Sequence, residues 1–406
     1  MQNRNLSFGF VAAAIVAVTV LGAATRSMAQ QERVLYSFGN GTDGSEPFDD
    51  LVFDAAGNVY ATTGNGGAYD LGTVAELSPG PDGNWTEKVL YNFGNGSTDA
   101  ANPRSSVIFD AAGHNLYGTT INGGAYGLGA VFELSPAAGG AWTEKILFSF
   151  NGTDGQAGWN KLIFDAAGNL YSTSGSGGAY GQGVAYELRP HAGGWVEKVL
   201  HNFGNGTDGG SPQCALIFDA EGNLYGMTTY GGTNGLGTVF ELVPTAGGGW
   251  VERILHNFAG GCDGANPFAG VTFDSSGNLF GVTYFGQTVF EMTPGSGGNW
   301  TLNTLYSFDD NATQGSGPWP TVTLDAEGNV YGTAQFGGVN NGGTAFEISP
   351  TSGGSWTYQV IHSFPSSPND GVSPSFTRFI FKGDTMYSTT WQGGAYGGGT
   401  LYELRP

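Results

Sequence analysis

Three short strings recur along this sequence in a fixed order, and their counts constrain the fold more than any other feature. The first string reads LVFDAAGNVY at Leu51–Tyr60, the second is a GTVFEL-like string that first ends at Leu77, and each occurs seven times. The third string, WTEKVLYNF at Trp85–Phe93, occurs only six times, but a truncated copy, ERVLYSF, precedes the first repeat at Glu32–Phe38. A final unit without its third string and a spare copy near the start predict a ring that is closed by its own ends.

The repeat length and the strand pattern indicate a β-propeller. The VLYSF-like strings recur every 50–57 residues, which is near the kelch length. Each unit contains four short runs of β-branched and aromatic residues, which in the second unit are Val107–Asp110, Asn115–Thr120, Ala130–Ser135 and Trp142–Phe150. Radial stacking of such sheets buries both faces of each one and leaves no long free edge. We predict an all-β, seven-bladed propeller with four strands per blade, in which residues 32–38 complete the last blade; a parallel β-helix is the rival fold.

The first 29 residues have the features of a signal peptide. A positively charged start and an apolar run at 8–24 are followed by small residues at Ser27 and Ala29, which predicts cleavage between Ala29 and Gln30. We expect residues 30–406 to form a single propeller domain that is secreted or periplasmic and has no membrane span after cleavage. The blade repeats are predicted to begin near residues 51, 107, 162, 216, 271, 322 and 379.

The chain is strongly acidic, with 34 Asp and Glu against 13 Lys and Arg and a formal net charge of −21. Nucleic acids and anionic membrane surfaces require clustered basic residues, so both are excluded as partners. Two cysteines, Cys214 and Cys262, lie in the loops that enter two adjacent blades. Export permits a disulfide between them, and the sequence leaves that bond open. We expect a monomer without a cofactor.

Glycine-rich strings carry a family resemblance. GGAYGLGAVFELSP at Gly123–Pro136 returns as GGTNGLGTVFELVP at Gly231–Pro244 and as GGAYGGGTLYELRP at Gly393–Pro406. With these strings the chain resembles the GloVer tandem-repeat family of secreted bacterial proteins, and the likeness spans essentially all of residues 32–406. The resemblance implies a propeller-like fold and export. It implies no catalytic residues.

Comparison of the repeats separates scaffold from candidate site, because a residue present at the same place in every unit is expected to be structural. This argument assigns the DAAGN aspartates, such as Asp54, to hairpin turns and the strand glutamates, such as Glu76, to cross-strand ion pairs. It assigns the six repeated tryptophans to packing between blades. No histidine cluster has metal-ligand spacing and no Ser–His–Asp set is present, so we nominate no catalytic residue and no metal site.

One cluster of acidic residues leaves a calcium site as an alternative. Asp43, Glu46, Asp49 and Asp50 lie close together in the first unit. Their carboxylates are of the type that calcium prefers, but the spacing of an EF-hand loop is missing.

The residues just before each innermost strand vary from unit to unit and are predicted to ring the mouth of the central channel. This ring mixes both charges, amides and large aromatic side chains, a combination that suits a small ligand or a sugar. The candidate ligand-binding residues of the ring are Asp50, Arg104, Trp159, Asn160, Lys161, Gln213, Trp319 and Arg378. Asp50 of the first blade and Arg378 of the last blade are expected to be neighbours across the closure. Four loop tyrosines with flat amphipathic rings are added as possible stacking partners: Tyr69, Tyr126, Tyr180 and Tyr396. In the fifth unit the corresponding loop shrinks to residues 284–287, which predicts a low wall on that side.

These features favour a recognition role through the long-loop face and the channel mouth, with a glycan or an extracellular protein as partner. An enzyme of the propeller lactonase, lyase or glycosidase type, with polar residues at the channel mouth, is the second reading. A purely structural surface repeat is the third.

Overall fold

A computed structural model describes residues 31–405, apart from 82, 157–158 and 310–312. These residues form seven sheets of four antiparallel strands arranged in a ring, so the chain is a seven-bladed β-propeller and the rival parallel β-helix is wrong. The predicted signal peptide, residues 1–29, lies outside the described residues. Within the described part of the chain, no helix has the length and apolar character needed to cross a bilayer.

The strand bounds follow the repeat closely. The innermost strands of blades 1 to 7 are Gly44–Phe53, Ile108–Phe109, Ile163–Phe164, Ile217–Phe218, Thr272–Phe273, Thr323–Leu324 and Ile380–Lys382. The second strands are Val59–Gly66, Leu116–Thr120, Leu170–Ser174, Leu224–Thr228, Leu279–Thr283, Val330–Phe336 and Thr385–Thr390. The third strands are Thr73–Pro79, Ala130–Pro136, Val184–His191, Thr238–Pro244, Thr288–Pro294, Thr344–Pro350 and Thr400–Arg405. The outer strands are Trp85–Asn92, Trp142–Ser149, Gly194–Asn202, Trp250–Asn257, Trp300–Ser307, Trp356–Ser363 and, from the start of the chain, Gln31–Ser37.

Short elements connect the blades on the long-loop face. The segment that enters a blade pairs with the loop between its second and third strands in three blades, through Ala100–Ala101 with Asn122–Gly123, Gly209–Gly210 with Tyr230–Gly231, and Gly371–Val372 with Gln392–Gly393. Ser316–Pro318 pairs in the same way with the second strand of blade 6. Among the described residues, a short 3-10 turn lies at Gly261–Asp263 in the segment that enters blade 5, and two others, Ala138–Gly140 and Ser296–Gly298, lie in hairpins between third and outer strands. Entry segments and long loops therefore share one face.

The start of the chain closes the ring. Glu32 pairs with Leu404 and Ser37 with Thr400 in an antiparallel ladder that adds Gln31–Ser37 to the last blade. The Phe38 amide continues this ladder by donating to the Gly399 carbonyl at 2.9 Å. Closure by residues 32–38 is thus confirmed, with the strand beginning and ending one residue earlier than predicted.

The hydrophobic core lies in the seams between neighbouring blades. In the second strand of blade 2, Gly118 leaves room for the Phe132 ring, which a Cβ on Gly118 would approach to 2.5 Å. The repeated tryptophans pack across the seams, as predicted: Trp195 lies edge-on to Tyr117 at 6.3 Å, and Trp250 meets Tyr171 at the same distance. Burial of these aromatic faces is the main contribution to stability in such a fold.

The repeated carboxylates are scaffold. Asp54 accepts a hydrogen bond from the Asn58 amide at 2.9 Å within its hairpin turn, and the same bond recurs in other blades. Of the predicted cross-strand ion pairs, Lys145–Glu133 at 4.0 Å and Arg253–Glu241 at 3.3 Å are present among the described residues. In blade 1 the described residues show no ion pair between Lys88 and Glu76, and in blade 3 the prediction is also wrong. Glu187 binds Arg189 of its own strand, and Lys198 donates to the Gly248 carbonyl.

Both cysteine thiols are free. Cys214 is buried in blade 4, where its Sγ donates to the Met227 carbonyl at 3.0 Å, whereas Cys262 is exposed. The disulfide that the sequence left open is therefore not formed.

Candidate functional site

The residues that precede the innermost strands converge on a cavity of about 170 Å³ at the mouth of the channel. All eight ring residues singled out from the sequence line it: Asp50, Arg104, Trp159, Asn160, Lys161, Gln213, Trp319 and Arg378. Its size is below the roughly 300–1,000 Å³ of drug-sized ligand pockets. The cavity thus suits a small ligand or one unit of a longer chain.

A bulge in the first strand of blade 1 places two carboxylates in the cavity. Between the pairs Phe48–Thr62 and Val52–Tyr60, three residues of the inner strand face one residue of its partner. Asp49 within this bulge has φ of 60°, a conformation that costs energy for a residue other than glycine. Bulges of this kind redirect side chains next to functional sites.

Asp50 holds two basic side chains from different blades. Lys161 Nζ of blade 3 and Arg378 Nε of blade 7 each lie 2.9 Å from Asp50 Oδ2. The contact with Arg378 is the one predicted across the closure. Burial by itself raises the pKa of Asp50, but the charges of Arg378 and Lys161 outweigh burial and leave this pKa below its ordinary value. Asp50 is therefore ionised at neutral pH.

The neighbouring carboxylate behaves in the opposite way. Burial, followed by the negative charge of Asp50, raises the pKa of Asp49 to about 6. The Asp49 side chain accepts a hydrogen bond from the Ser106 amide at 2.8 Å. Two adjacent carboxyl groups with separated pKa values give the cavity one fixed charge and one group that titrates near neutral pH.

Aromatic rings surround this charged centre. Phe48 stacks on Phe376 at 4.1 Å and meets Trp159 edge-on at 5.8 Å, while Trp319 stacks on Phe268 at 5.0 Å. Trp159 remains 39% exposed, so part of its ring is accessible to a ligand.

Arg104 lies within the aromatic part of the rim. Its guanidinium carbon is 5.1 Å from the centre of the Phe48 ring and 5.4 Å from that of Trp159, within the range of cation–π attraction. The Arg104 Nε atom is buried and has no hydrogen-bond partner. A buried donor without a partner is costly in the empty site, and an acceptor on a ligand would satisfy it.

Two amides of the predicted set are partly committed to the scaffold. Asn160 is buried and its side-chain nitrogen donates to the carbonyls of Thr173 and Pro212, which joins blades 3 and 4. Gln213 donates to Ser211 Oγ at 3.1 Å. Asn160 has no side-chain N–H left for a ligand.

The four loop tyrosines do not line the cavity. Tyr69, Tyr126, Tyr180 and Tyr396 are exposed on the outer part of the long-loop face. The short loop of blade 5 is present at residues 284–287, and its Tyr284 packs edge-on against Trp319 at 4.5 Å. This low side of the rim is therefore aromatic.

The acidic cluster considered for calcium is dispersed. Asp43 accepts from the Tyr36 hydroxyl at 2.7 Å, and Glu46 accepts from Asn65. Asp49 and Asp50 instead face the channel. The four carboxylates therefore do not form one site.

A group of three side chains that recurs at the outer edge of the seams between blades was not predicted from the sequence. A Tyr, Phe or His of an outer strand faces an aspartate of the following connection and a glutamate of the next blade's outer strand. Three such trios are Tyr91–Asp99–Glu144, His201–Asp208–Glu252 and His362–Asp370–Glu32. Burial and the adjacent aspartate raise the pKa of Glu144 to about 9 and that of Glu252 to about 8. In two of these trios a histidine lies beside two carboxylates, an arrangement that the spacing along the sequence does not indicate.

Several solved structures are similar to this chain. A periplasmic gluconolactonase of Pseudomonas aeruginosa is 16% identical, with 85% of this chain and 97% of that chain covered and a TM-score of 0.51. A putative 6-phosphogluconolactonase of Bacteroides uniformis is 13% identical over 84% and 89%, with a TM-score of 0.49. A PQQ-bound aldose sugar dehydrogenase of Streptomyces coelicolor is 15% identical over 93% and 98%, with a TM-score of 0.46. At 16% identity, the likeness to the gluconolactonase shows the fold alone.

No functionally curated protein matches the sequence. The Gloeobacter/Verrucomicrobia repeat model matches residues 22–146 and 139–309, which is more than half of the chain and agrees with the resemblance drawn from the glycine-rich strings. The protein belongs to the Gloeobacter/Verrucomicrobia repeat family.

Proposed function

We propose that this protein binds a small anionic carbohydrate, of the sugar-acid class, at the mouth of its central channel. The observation that carries the proposal is electrostatic. Three of the 13 basic residues, Arg104, Lys161 and Arg378, gather around one cavity of a chain whose net charge is −21. Among the described residues that line the cavity, Asp49 and Asp50 supply the negative charge. The cavity is thus locally basic on an acidic protein, and an anionic ligand fits that excess.

The aromatic rim supports a sugar ring as the body of the ligand. The apolar face of a sugar packs on aromatic side chains, while a few placed polar groups fix its orientation. Trp159 is partly exposed and lies beside the Arg104 guanidinium, which supports contact with a sugar ring and recognition of its charge at the same place. The small volume of the cavity fits one sugar unit better than a protein segment.

We infer that this recognition takes place outside the cytoplasm. The repeat family is consistent with an exported protein, and the apolar segment near the start of the chain has the features of a signal peptide. A protein partner would instead meet the exposed ring of loop tyrosines, such as Tyr126 and Tyr180.

Calorimetric titration with gluconate, glucuronate and glucose tests the proposal. We expect both sugar acids to bind at least about tenfold more tightly than glucose, since a hydrogen bond to a charged group contributes about 1.5–3 kcal/mol. Trp159→Ala should weaken sugar-acid binding, whereas Tyr126→Ala, which removes an exposed aromatic ring outside the cavity, should leave it unchanged. Equal binding of acids and glucose, or equal losses in the two variants, would refute the proposal.

Catalysis at the same cavity is the second candidate, and the Asp49–Asp50 pair is the observation that favours it. A carboxyl group whose pKa is raised to about 6 next to an ionised one is the arrangement from which acid–base pairs are built. Hydrolysis of a sugar-acid lactone would produce a carboxylate, and the basic cavity would bind that carboxylate. In this reading Asp49 would transfer the proton during hydrolysis.

A lactone panel separates the two candidates. Turnover of aldonolactones by the wild-type protein that is abolished in Asp49→Asn, with sugar-acid binding retained, would establish the hydrolase. Binding of sugar acids without turnover of the panel would leave recognition as the function.

A further inference from the structure

The seam trios differ in one residue that decides what they can bind. Tyrosine occupies the outer-strand position at Tyr36, Tyr91 and Tyr306, and histidine replaces it at His201, His256 and His362. At two of the histidine seams, two carboxylates complete the trio, and their ligand atoms lie within 4.8 Å of one another: His201–Asp208–Glu252 and Glu32–His362–Asp370. The third histidine seam has Leu302 in place of the glutamate. Two seams therefore combine one imidazole with two carboxylates.

The seam at the ring closure is the one with unsatisfied atoms. The His362 side chain is only 8% exposed, and its Nε2 lies 3.4 Å from Asp370 Oδ2 without making a hydrogen bond of good geometry. The Glu32 Oε1 atom is also buried without a partner. Buried polar atoms in folded proteins are nearly always hydrogen-bonded, so these two atoms call for a missing partner. At the other seam His201 Nε2 already forms a 3.1 Å hydrogen bond with Asp208, although Glu252 Oε1 is unpartnered there too.

Asp370 is held in place for a ligand role. Its side chain is fully buried, and it accepts hydrogen bonds from the backbone amides of Ser366 and Gly371. These bonds orient the carboxylate towards His362 and Glu32, as outer-shell hydrogen bonds do for metal ligands.

We propose that Glu32, His362 and Asp370 form a binding site for a divalent metal ion of the Zn²⁺ class. Imidazole nitrogen with carboxylate oxygen is a donor set that Zn²⁺ accepts. Three protein ligands leave a fourth position for water. A cation also neutralises the two carboxylates that burial brings together. Mg²⁺ is a poor fit, because it prefers oxygen donors and retains its own water.

The position of Glu32 gives this site a structural consequence. Glu32 belongs to Gln31–Ser37, the strand that closes the ring, and it pairs with Leu404 in blade 7. His362 belongs to the outer strand of blade 6. An ion bound between them fastens the closing strand to the neighbouring blade, so binding is coupled to closure and stabilises the folded ring.

Zinc titration of the full chain after chelator treatment tests this site, with calorimetry and thermal melting as readouts. We expect wild-type protein to bind Zn²⁺ and to melt at higher temperature in its presence, with no comparable shift from Mg²⁺. The His362→Tyr variant should bind one Zn²⁺ ion fewer per chain, and Zn²⁺ should no longer raise its melting temperature. This variant should fold, because tyrosine occupies the same position at three other seams. His201→Tyr is the matched control: it should still bind the Zn²⁺ ion at the closure seam, and Zn²⁺ should still raise its melting temperature.

Glu32→Gln provides a second, nearly isosteric test. It should weaken zinc binding at least about 10–100-fold, the loss that follows even from removing an outer-shell partner of a metal ligand. Absence of zinc binding in the wild type, unchanged binding in both His362→Tyr and Glu32→Gln, or loss of the same Zn²⁺ ion in His201→Tyr would overturn the proposal. In the first of these cases the closure seam would be a hydrogen-bonded packing site like the Tyr91 seam.

Discussion

Lys161 Nζ lies 2.9 Å from Asp50 Oδ2, although the two residues are 111 positions apart and belong to blades 3 and 1. They meet because the ring places the starts of non-adjacent blades around one channel. Asp50 also reaches Arg378 across the closure. The charged centre of the candidate site therefore depends on a complete ring.

The first prediction concerns the contribution of the N-terminal segment to stability. Phe38 is fully buried in the seam between blades 7 and 1, among Leu51, Val59 and Leu401. Phe38→Ala should lower the free energy of unfolding by about 3–5 kcal/mol, the usual loss for a buried aromatic residue. Denaturant unfolding measures this change.

Two further variants calibrate that experiment. Phe203→Ala removes the equivalent fully buried ring between blades 3 and 4 and should lower the free energy of unfolding by a similar amount. Tyr126→Ala removes an exposed ring and should change stability by no more than about 0.5 kcal/mol. If Phe38→Ala behaved like Tyr126→Ala, the first segment would not be part of the ring.

The second prediction is a pH dependence of ligand binding. Burial and the Asp50 charge raise the pKa of Asp49 to about 6, so Asp49 is protonated below that pH and adds a negative charge to the cavity above it. Sugar-acid affinity should therefore fall severalfold between pH 5 and pH 7. In Asp49→Asn, which mimics the protonated side chain, this fall should largely disappear. A wild-type affinity that rises with pH would contradict the charge arrangement.

The third prediction concerns stability and pH at the seam between blades 1 and 2. Burial and Asp99 raise the pKa of Glu144 to about 9, from an ordinary value of 4.5. The folded protein thus retains a proton that the unfolded chain releases near pH 4.5. The stability contributed by this proton is complete below pH 4.5 and is lost as the pH rises towards 9.

Glu144→Gln removes the titrating group and keeps the shape of its neutral form. Between pH 5 and pH 8 the free energy of unfolding of this variant should rise by roughly 1–2 kcal/mol relative to that of the wild type, which loses stability over this range. Solvent screening keeps the difference below the value that the full pKa shift would give. Unfolding experiments at the two pH values measure the difference. A constant difference between variant and wild type would show that Glu144 is ionised in the folded protein.

The fourth prediction concerns the two thiols. Burial raises the pKa of Cys214 to about 12, whereas Cys262 is exposed. Only the thiolate reacts with disulfide reagents, so the native protein should release one equivalent in a thiol assay with Ellman's reagent and the denatured protein two. Cys262→Ser should remove the native signal. Zero equivalents in denatured, non-reduced protein would show that the two cysteines are bonded to each other.

The repeats made the fold and much of the site predictable. Asp54 and Trp195 could be assigned to scaffold because equivalent residues recur in other blades, and the contact of Asp50 with Arg378 followed from the adjacency of blades 1 and 7. The contact with Lys161 did not follow, because it spans the channel and depends on its diameter and on side-chain reach. Asn160 varies between blades, yet its amide serves the scaffold, a role that variation alone cannot distinguish from ligand binding.

The seam trios were missed for a different reason. Glu32 lies near the start of the chain and His362 and Asp370 near its end, and only the closed ring brings them within reach. Their spacing along the sequence has no metal-binding pattern. The substitution of tyrosine by histidine at equivalent outer-strand positions was the signal that could have revealed them.

Titration of gluconate into wild-type protein, Arg104→Gln and Lys145→Gln tests the central claim most directly. Both substitutions remove one positive charge, but Arg104 has a buried, unpartnered Nε in the cavity, whereas Lys145 is an exposed residue of an outer strand. We predict that Arg104→Gln weakens gluconate binding at least about tenfold and that Lys145→Gln leaves it unchanged. Unchanged affinity in Arg104→Gln, or an equal loss in Lys145→Gln, would contradict an anion-binding site at the channel mouth.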